Sequence, residues 1–162
     1  MKTLIYGAGA IGSDLGGMLS LSGQDVTLLA RGEQLRALQS EGLRVSHPNQ
    51  TEQTIPVRAV DQAHAGGDYD LIVVTLKSMQ LAAAAPDLMA RLAPQGTLLM
   101  VQNGLPWWYF DRYPSPRDGA RIHCLDPQGV LRETISLDRV LGAVIYKPVT
   151  QTAPGRIFLP NI

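Results

Sequence analysis

Several features are scarce in this sequence of 162 residues, and each scarcity excludes a class of protein. The single cysteine, Cys124, cannot form a disulfide within the chain, and the three histidines lack the spacing of a metal site. Fourteen basic and fourteen acidic side chains balance and are scattered, which argues against binding to nucleic acid or a membrane surface. The longest apolar run, LIVVTL at 71–76, is far below the roughly 20 residues that span a bilayer. With no signal peptide at its start, the sequence predicts a cytoplasmic protein.

The composition is that of an ordinary globular domain. Hydrophobic residues make up 45% of the chain and charged residues 17%, a balance that is not typical of disordered proteins. A chain of this length buries roughly 70% of its unfolded surface when it folds as one unit. We therefore expect residues 1–162 to form one domain.

Strand and helix patterns alternate along most of the chain. Apolar runs that predict strands lie at 2–6, 25–30, 69–76, 96–102 and 139–146. Helical patterns follow the first three of these runs. Pro86 lies in the third helical pattern and is expected to kink that helix or divide it in two. Weaker strand candidates lie at 43–47 and 54–60, and Pro56 places the second at a sheet edge or a strand end. This alternation predicts an α/β fold of the Rossmann type, with a doubly wound, mostly parallel sheet.

Beyond Asn103 the pattern is weaker. We expect a short helical turn near 106–110, within the aromatic stretch PWWYF, and a hairpin around Pro127–Gly129. Grouped aromatics after a strand more often close a core or an interface than bind a ligand. A last short strand is predicted at 156–160, after the turn at Pro154 and Gly155.

The string GAGAIG at 7–12 matches the dinucleotide-binding pattern G-x-G-x-x-G. In that pattern the three glycines permit a tight turn, close approach to a pyrophosphate, and close packing of the helix on the sheet. The string follows a predicted strand, and apolar residues at helical spacing come after it, namely Ile11, Leu15, Met18 and Leu19. We therefore predict that the cofactor is bound by Gly7, Ala8, Gly9, Ala10, Ile11 and Gly12, the alternative being a glycine-rich turn without a ligand.

Arg31 ends the second predicted strand, nineteen positions after Gly12 (31 − 12). An acidic residue about 20 residues after the glycines would bind the ribose hydroxyls of NAD, whereas a guanidinium binds the additional 2′-phosphate of NADP. Arg31 therefore predicts NADP as the cofactor. Two alternatives stay open: a solvated surface arginine paired with Glu33, or Glu33 itself binding the ribose of NAD.

Two further candidates follow predicted strands. Lys77 stands where the third helix begins and could contact a cofactor phosphate, a ribose or a substrate carboxylate, or simply extend into water. Asn103, followed by Gly104, could donate to the nicotinamide ribose or a substrate carbonyl, although Asn-Gly is also a strong turn signal.

Taken together, YGAGAIG, LLAR, VTLKSMQ, VQNG, LGAVIY and the later APG resemble the N-terminal domain of the ketopantoate reductases (2-dehydropantoate 2-reductases). The resemblance implies that Gly7–Gly12 hold the pyrophosphate of NADPH, Arg31 its 2′-phosphate, Lys77 the cofactor, and Asn103 the nicotinamide side and substrate. It implies hydride transfer to a small 2-oxo acid, 2-dehydropantoate, giving pantoate for pantothenate biosynthesis.

The resemblance also implies that the general-acid lysine of the family lies in a helical C-terminal domain, which the sequence does not contain. We expect a truncated N-terminal part of a two-domain reductase that binds NADP but is inactive alone. Reduction of another 2-oxo substrate and a non-catalytic, regulatory NADP-binding module stay open as alternatives. The oligomeric state, homo-oligomers included, also stays open.

Overall fold

The computed structural model describes residues 1–112 and 114–160. Its elements, in chain order, are β1 (Thr3–Tyr6), α1 (Ala10–Leu21), β2 (Val26–Leu29), α2 (Gly32–Glu41), β3 (Leu43–Ser46), β4 (Gln53–Ile55), β5 (Arg58–Val60), β6 (Tyr69–Val74), α3 (Ser78–Arg91), β7 (Leu92–Val101), α4 (Val130–Thr134), β8 (Val140–Ala143), β9 (Thr150–Ala153) and β10 (Arg156–Phe158).

The main sheet has six strands in the order β5-β2-β1-β6-β7-β8, and every neighbouring pair is parallel. Numbered by their sequence within this sheet, the strands run 3-2-1-4-5-6, which is the Rossmann order. The direction of winding reverses between β1 and β6. The predicted doubly wound, parallel α/β fold is therefore confirmed.

A smaller sheet of four strands was not predicted. Its order is β4-β3-β10-β9, and it pairs β3 with β10 in parallel while β4 and β9 are antiparallel edges. Pro56 lies between β4 and β5, both edge strands, as its missing N–H requires.

The core lies on both faces of the main sheet because successive side chains of a strand point to opposite faces. In β1, Leu4 and Tyr6 join the cluster under α3, while Ile5 joins the cluster shared with α1, α2 and the smaller sheet. All four residues of β1 are buried, as expected of a central parallel strand.

Helix α1 packs on the sheet through small residues as well as through its predicted apolar face, of which Ile11, Leu15 and Leu19 pack against the core. A Cβ added at Gly16 would lie 2.8 Å from the Leu28 side chain, and one added at Gly17 would lie 2.6 Å from that of Leu43. Met18, expected on the buried face, is 56% exposed. The missing side chains let the helix backbone approach the strands, which a count of apolar residues cannot reveal.

A cluster of polar groups anchors α3 to the loop before β6. The Tyr6 hydroxyl donates to Asp87 Oδ2 (2.8 Å), and Arg91 Nε donates to the same oxygen (2.7 Å). Arg91 also donates to the carbonyl oxygens of Gln62 and Gly66. Burial, and then the bond to Asp87, raise the pKa of Tyr6 to about 12. Burial also pushes the pKa of Asp87 upward, but bonds from Arg91 and Tyr6 outweigh it, so that the pKa is lowered.

Two local details differ from what the sequence predicts. Of the two outcomes predicted at Pro86, a kink or a division, the division does not occur, because helix α3 is continuous through Pro86. The predicted hairpin at Pro127–Gly129 is instead a turn that leads into α4, because Gly129 adopts a left-handed conformation (φ +80°) as the residue before that helix. Cys124 is exposed, although a lone cysteine is usually a small buried side chain.

The aromatic stretch at 106–110 forms turns, as expected. Trp107 is 5% exposed and packs under α3, with Trp108 edge-on at 5.3 Å between ring centroids. Tyr109 is exposed. The stretch thus closes the core through Trp107, in agreement with the structural interpretation of these aromatics.

Candidate functional site

The glycine loop turns directly from β1 into α1. Gly7 has φ +114°, a conformation that L residues with a side chain rarely adopt. A Cβ on Gly12 would lie 2.0 Å from the Gly7 carbonyl oxygen, so the first turn of α1 is packed against the loop. At Gly9, which is exposed, an added Cβ would have no neighbour within 4 Å. The three glycines thus supply the turn, the open approach and the close packing that the pattern predicts.

The N-terminal end of α1 is available to an anion. The first four N–H groups of a helix have no partner inside it, and the helix dipole makes this end positive. The bond from Ser13 N–H to the Gly9 carbonyl (2.8 Å) is the one that closes the first turn. Because Gly9 is exposed beside these groups, the loop fits a phosphate group.

Arg31 lies at the carboxyl end of β2, as the residue that precedes α2. Its side chain is exposed, and the ion pairs found in residues 1–112 and 114–160 do not include one with Glu33. Gly32 follows with φ +57°, which lets the chain turn at once into α2. The ion pair between Arg31 and Glu33, which was one of the alternatives above, is therefore not found among the described residues.

Lys77 occupies the corresponding position after β6, before the first residue of α3. Its backbone N–H donates to the side-chain oxygen of Gln80 (3.1 Å). The preceding carbonyl, that of Leu76, accepts from the side chain of Gln102 (2.9 Å). These bonds fix the backbone at Lys77 and leave its side chain exposed.

Asn103 follows β7, and its side chain is engaged by the backbone. Nδ2 donates to the Ile145 carbonyl and Oδ1 accepts the Ile145 N–H, both at 2.9 Å. A primary amide has a second N–H and a second lone pair, so Asn103 retains one donor and one acceptor site. Asn103 thus ties the segment after β8 to the end of β7, a role that the sequence did not indicate.

The predicted residues all lie at the carboxyl edge of the main sheet. They follow β2, β1, β6 and β7, which are consecutive in the sheet, so they are spread over three strand intervals, or about 14 Å at the usual spacing. The glycine loop and Lys77 flank the point where the winding direction reverses. In open α/β sheets this is where ligands bind.

Several supporting residues escaped the sequence interpretation. Thr75 Oγ1 donates to the Gly7 carbonyl oxygen (2.5 Å). Gln34 hydrogen-bonds the Ala8 carbonyl from α2 (2.9 Å). The Lys147 ammonium binds both oxygens of Asp14, a 5% exposed carboxylate in α1, at 2.7 and 2.8 Å. These partners are far apart in sequence, so no motif spacing could have revealed them.

Two other kinds of site were sought in the described part of the chain. It contains no group of three or more His, Cys, Asp or Glu side chains placed to hold a metal ion. It also contains no helix long and apolar enough to cross a membrane.

Residues 3–107 match the family model described as Ketopantoate reductase PanE/ApbA. The chain belongs to this family. A 2-dehydropantoate 2-reductase from Mesorhizobium japonicum is 39% identical over 158 residues, which are 97% of this chain and 48% of that protein. The resemblance inferred from the sequence is therefore confirmed.

Solved structures agree with this assignment. A candidate ketopantoate reductase from Ralstonia solanacearum MolK2 matches with a TM-score of 0.87 at 37% identity, covering 99% of this chain and 49% of that one. A D-mandelate dehydrogenase with NADH and anilino(oxo)acetate matches with a TM-score of 0.76 at 23% identity, covering 98% and 45%, which shows the shared fold alone. The chain thus spans about half the length of these relatives.

Proposed function

We propose that this chain is the NADP(H)-binding domain of an oxidoreductase that reduces 2-dehydropantoate to pantoate. The observation that carries the proposal is that the glycine loop, at the switch point of a 3-2-1-4-5-6 sheet, and the exposed Arg31, at the end of the neighbouring strand, lie at the same edge of that sheet. The matched relative named 2-dehydropantoate 2-reductase supports the choice of substrate.

The residues at the sheet edge fit the parts of such a cofactor. The N–H groups at the start of α1 would hold the pyrophosphate, and the Arg31 guanidinium would hold the 2′-phosphate through paired, charge-assisted bonds. Lys77 would contribute a further positive charge. When bound, the reduced nicotinamide supplies a hydride to the ketone carbon of the substrate.

Asn103 would act at the nicotinamide end of the site. Its remaining N–H and lone pair are held in place by the two bonds to Ile145, so they can orient a ribose or a substrate carbonyl without reorganisation. This makes Asn103 a candidate for contact with both cofactor and substrate.

Reduction of a ketone also needs a proton donor for the oxygen on which negative charge develops. We propose that this donor is a lysine in the part of the longer relatives that has no counterpart here, a helical C-terminal domain. On this basis the 162-residue chain binds NADPH but does not turn over 2-dehydropantoate at a useful rate.

The experiment that tests the proposal is a calorimetric titration of the chain with NADPH and with NADH. Arg31→Ala is compared with Arg36→Ala, a control that removes the same charge from an exposed arginine within α2, the helix that Arg31 precedes. We expect the wild type and the control to prefer NADPH and Arg31→Ala to lose that preference. Equal affinity of the wild type for both cofactors would contradict the role of Arg31, and binding of neither would contradict the cofactor assignment.

A further inference from the structure

Gln34 connects three separate parts of the molecule through its side-chain amide. Nε2 donates to the Ala8 carbonyl oxygen in the glycine loop (2.9 Å) and lies 3.3 Å from Ser13 Oγ in α1. Oε1 accepts the Gly155 N–H (2.7 Å) and the side-chain N–H of Gln151 (2.9 Å). The amide thus joins α2 to the glycine loop and to the β9–β10 hairpin.

The carbonyl of the peptide between Ala8 and Gly9 is held by two donors, Gln34 (2.9 Å) and the Ser13 hydroxyl (3.1 Å). The preceding peptide is held as well, because the Ala8 N–H donates to the Leu29 carbonyl (3.0 Å). In a planar trans peptide the C=O of one residue and the N–H of the next point in opposite directions. Holding the Ala8 carbonyl against α2 therefore turns the Gly9 N–H away from α2, and Gly9 itself is exposed.

We infer that Gln34 is a positioning residue for the pyrophosphate of the cofactor, acting by orienting the Gly9 N–H. The bond from Gln34 is the shorter of the two that hold the Ala8 carbonyl, and its loss would favour a rotation of this peptide that brings the carbonyl oxygen, an acceptor, toward a ligand that is itself an acceptor. The inference rests on the proposed cofactor function and adds to it a residue outside the glycine motif.

The β9–β10 turn supports Gln34 in this orientation. Gly155 has φ +69°, and a Cβ added there would lie 2.9 Å from the Ala37 Cβ, so the turn is packed closely against α2. The Gly155 N–H fixes which end of the Gln34 amide faces the glycine loop, because an N–H must meet the amide oxygen. The Gln34 side chain thereby connects the smaller sheet to the glycine loop.

The test compares Gln34→Met with Gln39→Met in the 162-residue chain. Gln39 is a matched control, since it lies on the same helix and also donates its amide to a backbone carbonyl, that of Ala59 (3.0 Å). Each protein is titrated with NADPH and with adenosine 2′-monophosphate, which carries the 2′-phosphate but no pyrophosphate. The melting temperature of each variant is measured alongside.

We expect Gln34→Met to raise the Kd for NADPH about tenfold, as loss of one hydrogen-bonded contact would, while its Kd for adenosine 2′-monophosphate stays within about twofold. Gln39→Met should match the wild type with both ligands. Equal NADPH affinity in the two variants would overturn the inference. So would a parallel loss of affinity for both ligands, since that would indicate a general loosening of α2.

A second measurement does not depend on the stability of the variant. In the wild-type chain, the Gly9 amide proton should shift downfield in nuclear magnetic resonance spectra when NADPH is added, because it becomes a donor to phosphate. If the Gly9 signal does not shift when NADPH binds, the inference about Gln34 is overturned, while the proposed function is not. A wild-type chain that binds no NADPH would instead overturn the proposed function together with it.

Discussion

Two glycines of the same motif, Gly9 in the loop and Gly12 in α1, should respond in opposite ways to the same substitution. At Gly12 an added methyl group would lie 2.0 Å from the Gly7 carbonyl oxygen and 2.7 Å from Thr75 Oγ1. An ordinary carbon–oxygen contact is about 3.3 Å or longer, so the backbone of the loop or of α1 would have to move by more than about 1 Å. At Gly9 the methyl group would meet no atom within 4 Å, and the backbone (φ −78°, ψ −161°) is one that alanine readily adopts.

The expected effects on stability follow from these distances. Overpacking costs about 1–3 kcal/mol and occasionally more, and contact with backbone places Gly12→Ala at about 3 kcal/mol. For a domain of this size that lowers the Tm by about 6–12 °C. Gly9→Ala should instead leave the Tm unchanged or raise it slightly, since alanine loses less conformational entropy on folding, by about 0.4–1 kcal/mol.

Thermal unfolding and calorimetric titration with NADPH together test this reasoning. Gly9→Ala should keep its stability yet bind NADPH at least about tenfold more weakly, because the methyl group occupies the space through which pyrophosphate approaches the backbone. For Gly12→Ala, in contrast, the main expected effect is a loss of stability. If Gly12→Ala has the same Tm as the wild type, the packing argument is wrong. If Gly9→Ala binds NADPH with the affinity of the wild type, the pyrophosphate does not lie at Gly9.

Three further substitutions test contacts around the site. Thr75→Val removes the donor to the Gly7 carbonyl and should lower the free energy of unfolding by about 1 kcal/mol, measured by urea denaturation. Lys147→Met should destabilise the chain more than the double variant that also carries Asp14→Asn, because it leaves a buried carboxylate unpaired; a double-mutant cycle without coupling would contradict this. Because the pKa of Tyr6 is raised from 10.0 to about 12, the neutral phenol contributes stability that is complete below pH 10 and is lost as the pH rises through about 12. Tyr6→Phe should flatten the dependence of stability on pH in that window, and an unchanged slope would refute the assignment.

The sequence predicted the main sheet well because its strands carry strong local signals. Continuous apolar runs mark β1, β6 and β7, and the glycines mark the turn from β1 into α1. The smaller sheet was missed as a unit because β9 reads TQTA, a polar and largely exposed edge with no apolar alternation. Its position depends on pairing with β10, which local propensity does not describe.

The predicted and the missed site residues differ in the range of their contacts. Arg31 and Lys77 could be named because position after a strand and charge are both local properties, and the parallel topology then brings strand ends to one edge. Gln34 depends on partners 26 and 121 residues away, so its role is fixed only when α2, the glycine loop and the β9–β10 hairpin have packed together. Since preorganised donors are what an anion site requires, the residues that hold such donors in place belong to the site as much as those that contact the ligand.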